Sequence, residues 1–156
     1  MKKMILYAGA IAVIGFAGML PFRGTDVGRL HPVEVLVVSA FEEKIIVETD
    51  TQLRGTGETI IQAIENLKLT SAGEIFLDTA NYVLLTAEAK PLLGELYSVL
   101  RPACQVYEFS GTGKWDNAAK YLESHSSNVT LLSYRQGKEN VPKLAVSGED
   151  YKIDRS

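Results

Sequence analysis

The sequence predicts an N-terminal transmembrane helix followed by one small mixed-sheet domain of α/β or α+β class with about three helices. Three observations lead there. Residues 4–22 run for nineteen positions without a charge. Beyond them, short β-branched apolar runs alternate with segments whose apolar residues recur at helical spacing. The length of 156 residues suits one domain, and 46% hydrophobic with 22% charged residues is the composition of a folded chain rather than a disordered one.

At about 1.5 Å per residue, a helix over 4–22 just crosses a hydrocarbon core of roughly 30 Å. Lys2 and Lys3 precede it and Arg23 follows it. A cleaved secretory signal is the competing reading, with Gly15-Phe16-Ala17 as its cleavage site. Met19, Leu20 and Phe22 carry the apolar character past that site and favour an uncleaved anchor. No cysteine stands at the end of the run, which excludes lipid attachment there. The two lysines favour a cytoplasmic N-terminus and an extracytoplasmic domain. The expected organisation is an anchor over 1–22, a linker over 23–32 with two glycines and a proline, and a soluble extracytoplasmic domain over 33–156.

Residues 33–38 are β-branched and apolar, and 44–49 resemble them after a turn around 41–43, so 33–49 reads as a β-hairpin. Residues 50–58 are polar with two glycines and read as a loop. Thr59-Ile60-Ile61-Gln62 fits a capping box, and Ile60, Ala63, Ile64 and Leu67 then share one helical face. Short strands are expected at 75–77 and 82–85. Pro91 suits the first turn of a second helix, with Leu92, Leu96 and Val99 on its apolar side and Pro102 ending it. Residues 104–109 alternate as a strand. Trp115, Ala118, Ala119 and Leu122 are spaced i, i+3, i+4, i+7 and define a third helix over 114–125. Residues 129–132 read as a strand, and 143–146 with 151–153 as a closing hairpin.

Lys2, Lys3, Arg23 and Arg29 against Asp26 give residues 1–29 a charge of +3 and leave −6 on the rest. Such a domain lacks the basic surface that a nucleic-acid partner needs. One cysteine and two histidines exclude a disulfide framework and argue against a Cys or multi-His metal site, so no metal or cofactor is expected. The stretch Arg54-Gly55-Thr56-Gly57-Glu58-Thr59 precedes a helix start, where backbone amides can bind a small anion. It lacks the Gly-Lys-Ser/Thr ending of a phosphate-binding loop, and Glu58 repels phosphate, so a plain turn is favoured. Ser110-Gly111-Thr112-Gly113 with Lys114 invites the same two readings, again with the turn ahead.

No Gly-x-Ser-x-Gly nucleophile elbow occurs. His31 falls in the linker and His125 in a polar run, and both read as solvated or capping residues. Cys104 opens a strand and reads as a buried, inert thiol. Glu42, Glu43, Glu48 and Asp50 crowd the first hairpin as a solvated acidic face; paired acids there could also run glycoside hydrolysis. Asp26, Asp50, Asp78 and Asp116 lack the spacing of a calcium loop. Trp115 with the tyrosines could form a sugar platform, but its place on a helical stripe predicts core packing. Asn128-Val129-Thr130 fits a glycosylation sequon.

Gly55-Thr56-Gly57-Glu58-Thr59, then Ile60-Ile61-Gln62-Ala63-Ile64 with Leu67, Glu74-Ile75-Phe76-Leu77, Tyr82-Val83-Leu84-Leu85 and the helix through Leu92, Leu93 and Leu96 resemble a segment of the Ger(x)C family, the C-type subunits of spore germinant receptors. Val141-Pro142-Lys143-Leu144, Gly148 and Tyr151-Lys152-Ile153 resemble the stretch that closes the first domain of that family. Family members are typically lipoproteins with further domains, whereas this apolar run ends without a cysteine. The resemblance implies a non-enzymatic domain that contacts partner subunits in a spore-forming Gram-positive bacterium, in sporulation or germination, and it carries over no catalytic residue. The expectation is a single-pass protein, held to the lipid bilayer by its N-terminal helix, that docks other membrane proteins. The alternatives are a membrane-tethered envelope hydrolase using Glu42, Glu48 or Cys104, and a small-ligand-sensing module binding an anion at 55–59.

Overall fold

The computed structural model describes residues 30–137 and 140–154. The expected anchor, its alternative as a signal, and most of the expected linker lie outside the described residues. Among the described residues, no helix is long and apolar enough to cross a membrane.

In chain order the strands are β1 (Leu30–Pro32), β2 (Val35–Phe41), β3 (Lys44–Thr49), β4 (Arg54–Gly57), β5 (Glu74–Phe76), β6 (Tyr82–Leu85), β7 (Gln105–Gly113), β8 (Lys143–Gly148) and β9 (Asp150–Asp154). The α-helices are α1 (Ile60–Thr70), α2 (Leu93–Leu96), α3 (Ala118–Ser124) and α4 (Leu131–Arg135), with 3₁₀ turns at Leu77–Thr79 and Ala87–Leu92. Among the described residues, seven strands form one mixed sheet in the order β4-β3-β2-β6-β7-β8-β9, and β1 pairs with β5 in a separate parallel pair. The α+β expectation holds at this level.

Val35, Leu36, Val37 and Val38 are all buried, as a strand covered on both faces requires. Alternate residues divide into two cores. Leu36, Val38, Val47, Val83, Leu85 and Val106 face one side, here face A, which α1, the 87–96 segment and α4 cover. Val35, Val37, Leu84, Tyr107, Phe109, Leu144 and Val146 face the other, face B, where Ala118 and Leu122 of α3 pack.

The first hairpin forms as expected, with Val38 opposite Val47 and Phe41 opposite Lys44. Residues 54–57, expected in a loop, instead form β4 against β3. The reason is the helix behind it. A Cβ on Gly55 would lie 2.1 Å from the Ala63 carbonyl oxygen, and one on Gly57 would lie 2.6 Å from Ala63 N. The two glycines let α1 press directly on the strand backbone. The α1 cap is also reciprocal: Gln62 N donates to Thr59 Oγ1 at 3.2 Å, and Glu58 N donates to Gln62 Oε1 at 3.1 Å. The second bond reaches one residue earlier than a standard capping box.

Four other boundaries differ from expectation. Pro91 sits in the 3₁₀ turn before a four-residue α2, not in the first turn of a longer helix. The third helix begins at Ala118, leaving Trp115 ahead of it. Residues 129–132 make a single bridge, Gln105 to Thr130, and then enter α4. There Ser133 N donates to Thr130 Oγ1 at 3.2 Å and Thr130 N donates to Ser133 Oγ at 2.8 Å, so a local cap overrides the β-like composition. Leu30–Pro32, expected in the linker, forms β1 instead.

Candidate functional site

Glu48 on β3 and Arg54 on β4 are direct cross-strand neighbours, and they project to face B because Glu48 is in register with Val37. Arg54 Nε lies 3.6 Å from Glu48 Oε1. Opposite them stands the segment after β7. The second half of β7 pairs with β8, and Gly111, at φ +102°, brings its backbone so close that a Cβ would fall 2.0 Å from the Val146 carbonyl oxygen. The chain then carries Trp115 onto Phe109, ring centroids 5.0 Å apart and planes at 76°, a favourable edge-to-face contact. Asp116 reaches the β3–β4 turn and accepts from Gln52 Nε2 at 3.1 and 3.2 Å. Tyr151 Oη donates to the Lys114 carbonyl, and Lys114 Nζ lies 3.5 Å from Glu149 Oε1.

These parts enclose a cleft of about 290 Å³. Trp115 gives it an apolar wall, while Glu48, Arg54, Gln52 and Asp116 supply donors and acceptors. In the same β3–β4 turn, Asp50 Oδ2 accepts from Glu34 N at 3.3 Å, while its Oδ1 is buried without a hydrogen bond. Burial pushes the Asp50 carboxyl above its ordinary value of 3.8, against the lowering effect of the Glu34 and Val35 amides.

A second concavity, of about 430 Å³, runs between α1, β5 and the chain after α2. Ile61 (50% exposed), Phe76 (39%) and Val99 give it an apolar patch within a mostly polar lining, with Glu65, Glu74 and Asp78 against Lys68 along its rim. It lies beside the point where the chain enters the domain, since β5 pairs residue for residue with β1.

The other residues singled out from sequence are dispersed. Cys104 is 1% exposed in the face A core, and burial pushes its thiol up to about 12, with Arg101 offsetting this slightly. Glu48 lies on the opposite face of the sheet, and Glu42 is exposed in the β2–β3 turn at φ 55°. The structure therefore does not bring Glu42, Glu48 and Cys104 together. The glycines of the 55–59 stretch face α1, and those of 110–113 lie in β7 against β8, so in both stretches the glycines sit in strands under close packing rather than in the expected turns. His31 is exposed in β1. His125 ends α3, with Nδ1 3.0 Å from the Tyr121 carbonyl oxygen and its ring stacked on Tyr121 at 4.3 Å. Asn128 of the sequon is exposed. Asp26 lies outside the described residues, and among those described no three His, Cys, Asp or Glu side chains converge as metal ligands. The sequence offers Arg54 only as the start of the 54–59 stretch and gives no sign of Gln52: the Glu48–Arg54 pair depends on β4 forming where a loop is expected, and the Gln52–Asp116 contact joins residues 64 apart.

No protein-family model matches this chain, and no curated protein or solved structure matches it.

Proposed function

We propose that the chain is a single-pass membrane protein whose extracytoplasmic domain works without catalysis, by holding a neighbouring membrane protein in the groove between α1 and β5. The observation that carries this reading is the position of the groove. Leu30 of β1 stands eight residues after Phe22, the end of the apolar run, a span of at most about 28 Å of extended chain. A groove beside β1 is thereby kept within reach of the bilayer. Its exposed Ile61 and Phe76 offer an apolar seat, and the excess of carboxylates over Lys68 on the rim favours a partner segment that is apolar with flanking basic residues. The resemblance to the first domain of the Ger(x)C family adds the process: sporulation or germination, with partner subunits as the membrane proteins held.

The test is site-specific photocrosslinking in native membranes with the full-length chain. Probes at positions 61 and 76 are expected to join one defined membrane protein, and a probe at Lys152 on the far edge strand is not. Charge reversal at Glu65 and Glu74 is expected to abolish the product. Equal labelling from all three positions, or a product unaffected by charge reversal, refutes the assignment.

A further inference from the structure

We infer that the cleft between Trp115 and the β3–β4 hairpin is a carbohydrate site that takes one pyranose ring of an uncharged glycan. This goes beyond the docking role and uses a different surface. A pyranose presents a flat C–H face and a rim of hydroxyls that each donate and accept. Recognition therefore needs an apolar wall beside fixed acceptors and donors in one small space. The cleft has both. Trp115, steadied by its edge-to-face contact with Phe109, stands as the apolar wall. Two acid–donor couples face the same space: Glu48 with Arg54 at 3.6 Å, and Asp116 with Gln52 at 3.1 Å. Each couple holds a carboxylate in place while leaving lone pairs and N–H groups for vicinal hydroxyls.

Charge and size select the ligand class. Glu48 and Asp116 balance Arg54 and Lys114, so the cleft gains nothing from a phosphate or nucleotide that a net cationic site would favour. A volume of about 290 Å³ sits at the small end of ligand pockets, suited to a monosaccharide unit rather than a larger cofactor. The parts come from distant stretches of chain, and the Gln52–Asp116 hydrogen bonds, 64 residues apart in sequence, tie them together.

Trp115 is the single tryptophan of the chain, so its emission reports on this cleft alone. Full-length protein in a detergent without a sugar headgroup is titrated with glucose, galactose, N-acetylglucosamine and their methyl glycosides, and with glucose 6-phosphate. The expected result is a saturable emission change with at least one neutral sugar, with a dissociation constant of about 1 mM, as few polar contacts and one ring stack allow. Gln52→Ala and Glu48→Gln are each expected to weaken binding about tenfold while the far-ultraviolet spectrum stays unchanged. For Trp115→Phe, saturation-transfer NMR replaces emission and is expected to show weakened transfer to the ring C–H protons. No saturable change with any neutral sugar overturns the assignment. So does tighter binding of glucose 6-phosphate, or undiminished binding by Gln52→Ala and Glu48→Gln.

Discussion

Face A of the central sheet carries α1, the 87–96 segment and α4, whereas face B carries α3 and the segment around Trp115. Among the described residues, twenty-two buried side chains cluster on face A and ten on face B. The proposed docking groove and the proposed sugar cleft both need surface that the core leaves free, and they draw on different leftovers. The groove lies at the margin of the thick layer, where α1 and β5 leave Ile61 and Phe76 uncovered. The cleft lies on the thin layer, where a seven-residue helix cannot span a seven-stranded sheet and the β7–α3 segment closes part of the gap. A fully layered face is built for stability, and a partly layered one leaves room for a ligand.

The sharpest way to break this contrast is to truncate one Leu on each face. Leu67→Ala, under α1, is expected to cost about 4 kcal/mol, and Leu122→Ala, under α3, about 2–3 kcal/mol because a short helix can settle into the space. Urea denaturation measures both, and equal costs would remove the distinction. Next in size is the contact between α1 and β4. Gly55→Ala is expected to cost about 2–3 kcal/mol by forcing α1 off the strand. Gly94→Ala in α2, where a Cβ meets nothing within 4 Å, is expected to stabilise by about 0.5–1 kcal/mol.

Cys104 lies in the face A core, so its alkylation is expected to proceed only through opening of that core, orders of magnitude slower than in the unfolded chain. Leu67→Ala should speed it more than Leu122→Ala; the reverse order would show that Cys104 reports a local opening. The smallest effect concerns Asp50, beside the cleft. Its folded carboxyl holds its proton more tightly than the unfolded one, so its contribution is present below 3.8 and is lost as pH rises through the higher folded value. Asp50→Asn, which mimics the protonated form, is therefore expected to raise the melting temperature at pH 7 and to change nothing below pH 3.8. A gain of equal size at both pH values would locate the effect elsewhere.

Much of the fold was legible. The β2–β3 hairpin, the buried stripe of α1, strand β6 and the β8–β9 hairpin are local patterns, set by alternation, helical spacing and turn residues within a few positions of each other. Boundaries went astray where a neighbour decided them. Gly55 and Gly57 look like loop residues until α1 is laid against them. The Thr130 cap was visible in principle as Thr130-x-x-Ser133, but the apolar run around it spoke for a strand. Of the cleft, the sequence marks Glu48 as one of several acids, Trp115 as a helix residue and Arg54 only as the start of the 54–59 stretch, while Gln52 carries no signal.

Composition and periodicity thus determined by themselves an uncharged apolar run over 4–22, an acidic domain of mixed helices and strands, and a single cysteine placed for burial. Those properties follow from forces that act between near neighbours or sum over the whole chain. The order of the seven strands, the uneven cover of the two faces and the meeting of Gln52 with Asp116 were decided by tertiary structure alone. Pairing between residues dozens of positions apart is chosen by how whole faces pack, and no short window of sequence contains that choice.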